Sequence, residues 1–79
     1  MNEDEAMQLF MMSILLHYGR EEFSIGHAFS IKEDLFGKFD GKERWYGRLI
    51  SDAFDDKYLR DLGGNVKITE KGINLIKGE

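Results

Sequence analysis

The first quarter of the chain is crowded with hydrophobic residues and predicts a long helix over residues 3–18. Ten of these sixteen positions are apolar, which is more than one helical face can hold. We therefore expect this helix to be buried on more than one side. Acidic residues at its start suit the positive end of the helix dipole, and Gly19 is a favourable residue for ending it.

The next part of the chain contains a shorter helical pattern. Residues 21–29 fit either an extended segment or a short helical turn. Ser30 and Glu33 then have the spacing of a capping box, in which each side chain bonds a backbone amide near the other residue. A second helix is predicted over residues 31–37, and Gly37 is expected to end it.

The middle of the chain predicts a third, amphipathic helix over residues 41–55, with Asp40 as its N-cap. Its apolar residues recur at i, i+1, i+4, i+5, i+8 and i+9, so at about 100° per residue they cover one half of the helix. They are Trp45, Tyr46, Leu49, Ile50, Ala53 and Phe54.

Two short apolar runs near the end of the chain flank the sequence Gly63-Gly64-Asn65. These residue types adopt positive φ at little cost, so residues 58–62 and 66–68 predict a β-hairpin. Thr69 is expected to cap a final short helix that packs back on the core.

The order of these elements resembles the winged-helix superfamily, and one segment resembles it locally. Residues 66–72, Val-Lys-Ile-Thr-Glu-Lys-Gly, are similar to the second wing strand and the start of the following helix in that superfamily. The resemblance implies an α+β fold, with a three-helix core, a C-terminal β-hairpin wing and a short final helix. It also implies a short strand within residues 21–29 that adds to the hairpin. In the superfamily, the third helix typically enters the DNA major groove and the wing touches the DNA backbone.

Length and composition limit the class of protein. Seventy-nine residues suffice for one domain, which we expect to span residues 1–79. The absence of cysteine excludes disulfides and thiolate metal sites. No apolar run approaches the roughly 20 residues that span a bilayer, and the acidic N-terminus is unlike a secretory signal. We expect a cytoplasmic protein that does not contact membranes.

The formal net charge of −4 makes the distribution of the eleven basic residues decisive for DNA binding, because phosphate neutralisation supplies most of the affinity. Residues 38–48 contain four basic and two acidic side chains, a local balance of +2. With the apolar half of the third helix turned inward, Arg44 and Arg48 lie outward and suit major-groove contacts. The residues expected to contact double-stranded DNA are Lys38, Lys42, Arg44, Arg48, Ser51 and Lys67.

Two observations favour a different interpretation of the same helix. Its outward side also fits a solvated face with ordinary ion pairs, such as Arg48 with Asp52. In addition, Asp52, Asp55 and Asp56 place negative charge at its C-terminal end, where DNA would be repelled. The alternative function is a winged-helix protein–protein interaction module, of the kind found among small phage or plasmid proteins, that does not bind DNA.

The first helix supplies the candidate surface for a homodimer or another protein partner. Methionine-rich apolar surfaces adapt well to partners. The expected interface consists of Met7, Met11, Met12 and Leu15, with Leu16 beside them. The competing interpretation is that these residues simply fill the core.

No pattern in the sequence indicates catalysis. The two histidines lack metal-ligand spacing and the serines lack a base partner. Gly63-Gly64 is not followed by the Lys-Ser/Thr of a phosphate loop. We therefore expect no catalytic residue, no metal site and no cofactor.

Overall fold

A computed structural model of the protein describes residues 2–37 and 46–78. Within these residues the chain forms four α-helices, one 3₁₀ turn and three strands, so the fold is α+β, as predicted. In chain order the elements are α1 (Glu3–Tyr18), β1 (Phe23–Ser24), α2 (Ile25–Phe36), the 3₁₀ turn (Tyr46–Arg48), α3 (Leu49–Asp55), β2 (Leu59–Asp61), β3 (Asn65–Ile68) and α4 (Glu70–Lys77).

The helix α1 has the bounds that its hydrophobic pattern predicts. A capping box begins it: the Asn2 side chain accepts a hydrogen bond from the Glu5 amide (2.8 Å), and the Glu5 carboxylate accepts one from the Asn2 amide (3.3 Å). Gly19 ends the helix at φ 60°, and its amide donates to the Leu15 carbonyl oxygen (2.9 Å). Local capping therefore fixes both ends of α1.

The helix α2 begins at Ile25, before the predicted start, so the predicted capping box at Ser30 is wrong. Ser30 instead lies within the helix, where it is exposed. The reason is a non-local contact: the strand β1 pairs with β3 and holds the chain extended until the helix starts. Ala28 and Ile31, one helical turn apart, then face the core. Gly37 follows the last turn, as predicted.

The predicted third helix is described only from residue 46 onward, so its expected cap at Asp40 lies outside the described residues. A 3₁₀ turn that contains Gly47 leads into α3, and glycine has a low helix propensity. The helix α3 ends at Asp55, as predicted. Leu49 and Ala53 are buried on the inward side of α3, which confirms that its apolar side faces the core.

The three strands form one antiparallel sheet in the order β1-β3-β2, so the last strand in the sequence lies at the centre. The predicted hairpin and the short additional strand are both present. The paired residues are Leu59 with Ile68, Arg60 with Lys67 and Asp61 with Val66 in the hairpin, and Phe23 with Val66 and Ser24 with Asn65 across β1.

The hairpin turn owes its shape to Gly63 and Gly64, whose φ angles are 80° and 103°. A type I′ turn requires positive φ at both of its central residues, and its backbone twist matches the twist of the flanking strands. The Leu62 amide donates to the Asn65 carbonyl oxygen (2.8 Å), and the Asp61 carboxylate accepts from the Gly63 amide (2.9 Å). These bonds fix the register that sets the two faces of the hairpin.

The helix α4 is joined closely to the start of the hairpin. The Thr69 hydroxyl accepts from the Gly72 amide (3.0 Å), which confirms Thr69 as the cap, and donates to the Lys57 carbonyl oxygen (2.6 Å). Gly72 passes so close to Tyr58 that a Cβ atom there would lie 2.5 Å from the Tyr58 carbonyl oxygen. The packing of α4 on the hairpin therefore requires glycine at this position.

Side-chain contacts show that α4 runs antiparallel to α1. Gln8 near the start of α1 donates to the Leu75 carbonyl oxygen near the end of α4 (3.0 Å), and Arg20 beyond the end of α1 pairs with Glu70 at the start of α4. The core lies between these helices, α2, α3 and the sheet. Its largest fully buried side chains are Phe10, Met11, Ile14, Leu49, Leu59 and Val66.

An aromatic stack connects three successive elements. The Tyr18 ring at the end of α1 stacks with Phe23 of β1 and with His27 of α2, with centroid separations of 4.5 and 5.6 Å. All three rings are nearly parallel.

Among the helices of the described residues, none combines the length and the apolar composition needed to cross a membrane.

Candidate nucleic-acid interface

The outward side of α3 carries two of the residues predicted to contact DNA. Arg48 and Ser51 are both exposed, and the Arg48 side chain retains 58% of its accessible surface. Lys38, Lys42 and Arg44, which were predicted to act with them, lie outside the described residues. The structure therefore tests only the C-terminal half of the predicted DNA-contacting helix.

Arg48 is not a free cation. Its guanidinium lies 3.3 Å from the Glu3 carboxylate of α1 and 4.0 Å from the Asp52 carboxylate one turn further along α3. The second contact is the ion pair that the alternative interpretation of this helix predicted. Exposed pairs of this kind contribute only about 0.2–1 kcal/mol each, so a stronger ligand could displace them.

The C-terminal end of α3 is acidic, as the sequence predicts. Asp55 and Asp56 are exposed, and Asp52 and Asp56 line a small cleft beside the start of α1. Glu3 and Asp4 complete its acidic lining. These carboxylates would repel the phosphates of a nucleic acid docked along α3. Only the N-terminal part of α3 and the neighbouring elements can therefore face phosphates.

The outer face of the hairpin carries the second group of basic residues. Lys67, predicted to contact DNA from the wing, is exposed on β3 and lies directly opposite the exposed Arg60 on β2. Both line a depression of about 320 Å³ together with Arg20, Thr69 and Glu70. The sequence pattern thus predicts one of the two strand cations, Lys67, and the structure adds Arg60.

Arg60 and Arg20 were missed for an identifiable reason. Only the hairpin register shows that Arg60 and Lys67 share a face, and that register follows from the turn at Gly63 and Gly64. Counting residues outward from this turn along both strands places Arg60 opposite Lys67. Arg20 reaches the same surface through its contact with Glu70, which no local pattern indicates.

These basic residues differ in whether a carboxylate already neutralises them. Arg20 pairs with Glu70, whereas neither Arg60 nor Lys67 forms an ion pair with any residue in the described ranges 2–37 and 46–78. Like charges placed directly opposite each other on an antiparallel pair are destabilising. The outer face of the hairpin thus presents two adjacent cations whose mutual repulsion a bound anion would relieve.

The prediction that Met7 and Met11 form an interface on the first helix is wrong. Met7 and Met11 are core residues with 6% and 0% of their surface exposed, and Leu15 is half-buried against the core. They are buried because α2, α4 and the sheet pack on those sides of α1. Met12 and Leu16 are exposed, at 48% and 83%. With their neighbours they form the α1 patch, which consists of Leu9, Met12, Ser13, Leu15, Leu16 and Ile76.

Among the described residues, no group of three histidine or carboxylate side chains is arranged to hold a metal ion. No protein-family model matches this chain, and no curated protein or solved structure is significantly similar to it. Its function therefore has to be inferred from the geometry described above.

Proposed function

We propose that the protein is a small winged-helix DNA-binding protein, a transcriptional regulator or accessory factor, in which the hairpin is the wing. Three features support the winged-helix assignment. The amphipathic helix α3 directly precedes the hairpin, the short strand β1 adds to it, and the sheet order is β1-β3-β2. A capped helix, α4, then returns to the core.

Arg60 and Lys67 on the outer face of the wing, which form no ion pair with another described residue, are the main support for DNA binding. Neutralising phosphates with such residues releases counterions and supplies most non-specific affinity. In this proposal the wing binds the DNA backbone, while Arg48 and Ser51, with Lys38, Lys42 and Arg44, contact the groove and the flanking phosphates.

The ion pairs of Arg48 are compatible with this role. Each exposed pair contributes about 1 kcal/mol at most, whereas a bidentate contact between arginine and guanine provides about 1–3 kcal/mol of discrimination. A guanine edge could therefore replace Glu3 and Asp52 as the partner of the guanidinium. The aspartates at the end of α3 require that end to tilt away from the duplex.

The test is a titration of duplex DNA at several salt concentrations. The variant Arg60→Gln with Lys67→Gln should weaken binding by roughly one to two orders of magnitude near 0.1 M salt. It should also lower the slope of log affinity against log salt by about 2, since two phosphate contacts are lost. Its melting temperature should not fall, because the substitution removes a repulsive pair.

The matched control is Lys71→Gln with Lys77→Gln on α4, which changes the net charge by the same amount. Its effect on DNA binding should be much smaller. Equal losses in both variants would mean that overall charge, rather than the wing, governs binding. A wild-type protein with no salt-sensitive affinity for duplex DNA even at low salt would refute the proposal.

The second candidate function is a protein–protein interaction module with the same fold and no DNA binding. It is favoured by the α1 patch, where Leu16 is 83% exposed, and by the acidic end of α3. The same titration separates the two functions, because only the first predicts a salt-dependent complex with DNA.

A further inference from the structure

Lys32 on α2 is the one charged side chain that is buried among the described residues, with 8% of its surface exposed. Its ammonium forms no ion pair with any residue of the ranges 2–37 and 46–78. Moving a cation from water into a protein interior costs free energy unless a partner compensates. A neutral side chain of similar size would fill the same space without that cost, so packing alone does not account for a lysine here.

The groups around this ammonium come from Phe29 of α2 and from Tyr46, the first residue of the 3₁₀ turn. The Tyr46 carbonyl oxygen accepts a hydrogen bond from Lys32 Nζ (3.4 Å). The same nitrogen lies 4.6 Å from the centroid of the Tyr46 ring and 5.5 Å from that of the Phe29 ring. Both separations are within the roughly 6 Å over which an aromatic face attracts a cation. Lys32 therefore contacts both the backbone and the ring of Tyr46.

Two further contacts attach Tyr46 to the end of α2. The Phe36 ring lies edge-on to the Tyr46 ring at a centroid separation of 6.3 Å, and the Tyr46 hydroxyl donates to the Gly37 carbonyl oxygen. The contact with Lys32 differs from these two because it reaches the backbone of the turn. Tyr46 stands two residues before Arg48, the N-cap of α3, so its placement determines where α3 begins.

We propose that Lys32 is a positioning residue, whose buried ammonium holds the start of α3 on α2 and thereby fixes the position of Arg48. Lys32 acts through Tyr46, and no direct contact with DNA is assigned to it. The consequence for DNA binding rests on the proposed function, whereas the placement of α3 does not. The two can therefore be tested separately.

The first test measures amide hydrogen exchange without DNA. Lys32→Met keeps an unbranched apolar stem and removes the charge. We expect the amides of Arg48 and Leu49 to exchange about fivefold faster, which is the effect of one lost hydrogen bond of ordinary strength. The amides of α1 and β3 should exchange as in the wild type, because the change is confined to the start of α3.

The matched control is Lys71→Met on α4. The Lys71 ammonium makes the same two kinds of contact at the other end of α3, with the Asp56 carbonyl oxygen (2.7 Å) and the Tyr58 ring (5.1 Å from its centroid). This control removes the same charge, and it should leave amide exchange at Arg48 and Leu49 unchanged.

The second test separates the charge of Lys32 from its size and uses the absence of cysteine from the chain. The thiolate of Lys32→Cys displaces bromide from an alkyl bromide, in denaturant before refolding. Bromoethylamine gives a side chain that ends in an ammonium, as lysine does, and bromopropane gives one of equal length that ends in a methyl group. The amine derivative should restore wild-type exchange at the start of α3, and the propyl derivative should resemble Lys32→Met.

The third test is a titration of duplex DNA at fixed salt concentration. Lys32→Met should weaken binding at least about fivefold, the lower end of what one contact between arginine and a base provides. Lys71→Met should weaken it less. In an Arg48→Gln background, Lys32→Met should add little, because both substitutions affect the same contact.

Wild-type exchange at the start of α3 in Lys32→Met overturns the proposal, as does a propyl derivative that matches the amine derivative. Global unfolding of both neutral variants would show that the charge supports the whole fold, and would overturn a role confined to α3. Full additivity with Arg48→Gln would show that Lys32 does not act through Arg48. A wild-type protein without affinity for DNA would refute the proposed function alone, since the exchange experiments still decide how α3 is held.

Discussion

The β2–β3 hairpin, the wing of the proposed function, and the helix α3 both present basic residues to solvent, but the two regions differ in whether those residues are already paired with carboxylates. On the wing, Arg60 and Lys67 lie opposite each other and form no ion pair within the described part of the chain. On α3, Arg48 lies between the carboxylates of Glu3 and Asp52. Exposure alone therefore does not identify a binding cation, because neighbouring charges decide whether it is already neutralised.

The two regions also differ in how they are held. Thr69 and Gly72 tie the start of the hairpin to α4 through the Thr69 hydroxyl and a close backbone approach. At the start of α3, within the described residues, the N-cap is Arg48, and its side chain makes no capping hydrogen bond. The start of the hairpin is thus anchored to α4 by both contacts.

Substitution of Gly72 should have the largest effect on this difference. Gly72→Ala would place Cβ 2.5 Å from the Tyr58 carbonyl oxygen and 2.9 Å from Ile68 Cγ1. The backbone must shift, and we expect the free energy of unfolding to fall by about 1–3 kcal/mol, as measured by urea denaturation. Amide exchange should rise first at the junction of the wing with α4.

Gly26→Ala is its control, because a Cβ atom there meets only Ser24 Oγ, at 3.8 Å. This position lies in α2, where alanine is favoured over glycine by up to about 1 kcal/mol. The control should be neutral or stabilising. If Gly72→Ala were as stable as Gly26→Ala, the wing would not be anchored by this contact.

Loss of the Thr69 hydroxyl should have a smaller effect in the same direction. Thr69→Ala removes the helix cap and the bond to the Lys57 carbonyl oxygen. We expect a loss of about 1 kcal/mol in stability, measured by thermal denaturation. Thr69→Ser keeps the hydroxyl and should retain most of that stability. A serine variant as unstable as the alanine variant would assign the effect to the lost methyl group instead.

Release of Arg48 should have the smallest effect, and it acts on binding. Glu3→Gln with Asp52→Asn removes both carboxylates around the guanidinium. Because the exposed Glu3 pair is worth about 0.2–1 kcal/mol and the i,i+4 pair with Asp52 about 0.3–0.5 kcal/mol, affinity for duplex DNA should rise about two- to tenfold if Arg48 contacts the DNA. Fluorescence anisotropy at fixed salt concentration measures this change.

The control for Arg48 is Glu33→Gln with Asp34→Asn, which removes two negative charges from exposed positions of α2. An equal gain in affinity from this control would show that the affinity depends on the total charge of the protein and not on the release of Arg48. A gain confined to the first variant would indicate that α3, like the wing, contacts DNA.

Local signals in the sequence were sufficient for much of the fold. The bounds of α1, the hairpin around Gly63 and Gly64, and the cap at Thr69 each depend on residues close together in the chain. The start of α2 was not predictable in this way, because it is set by pairing of β1 with β3 about forty residues later.

The candidate sites were harder to predict for the same physical reason. The apolar residues of α1 surround the helix, so periodicity could not distinguish Met11, which is buried, from Met12, which is exposed. Only the positions of the packed neighbours decide between them. Arg60 required the strand register, and the pairing of Arg48 with Glu3 joins residues at the N-terminal ends of two helices that lie far apart in the sequence.

The stacked rings of Tyr18, Phe23 and His27 have a structural consequence. The one tyrosine ring stacks on a ring of the first strand and on a ring of the second helix, so this contact joins three successive segments of the chain. Phe23 is also the register partner of Val66 in the central strand. The stack therefore places the end of the first helix one residue contact away from the central strand of the sheet.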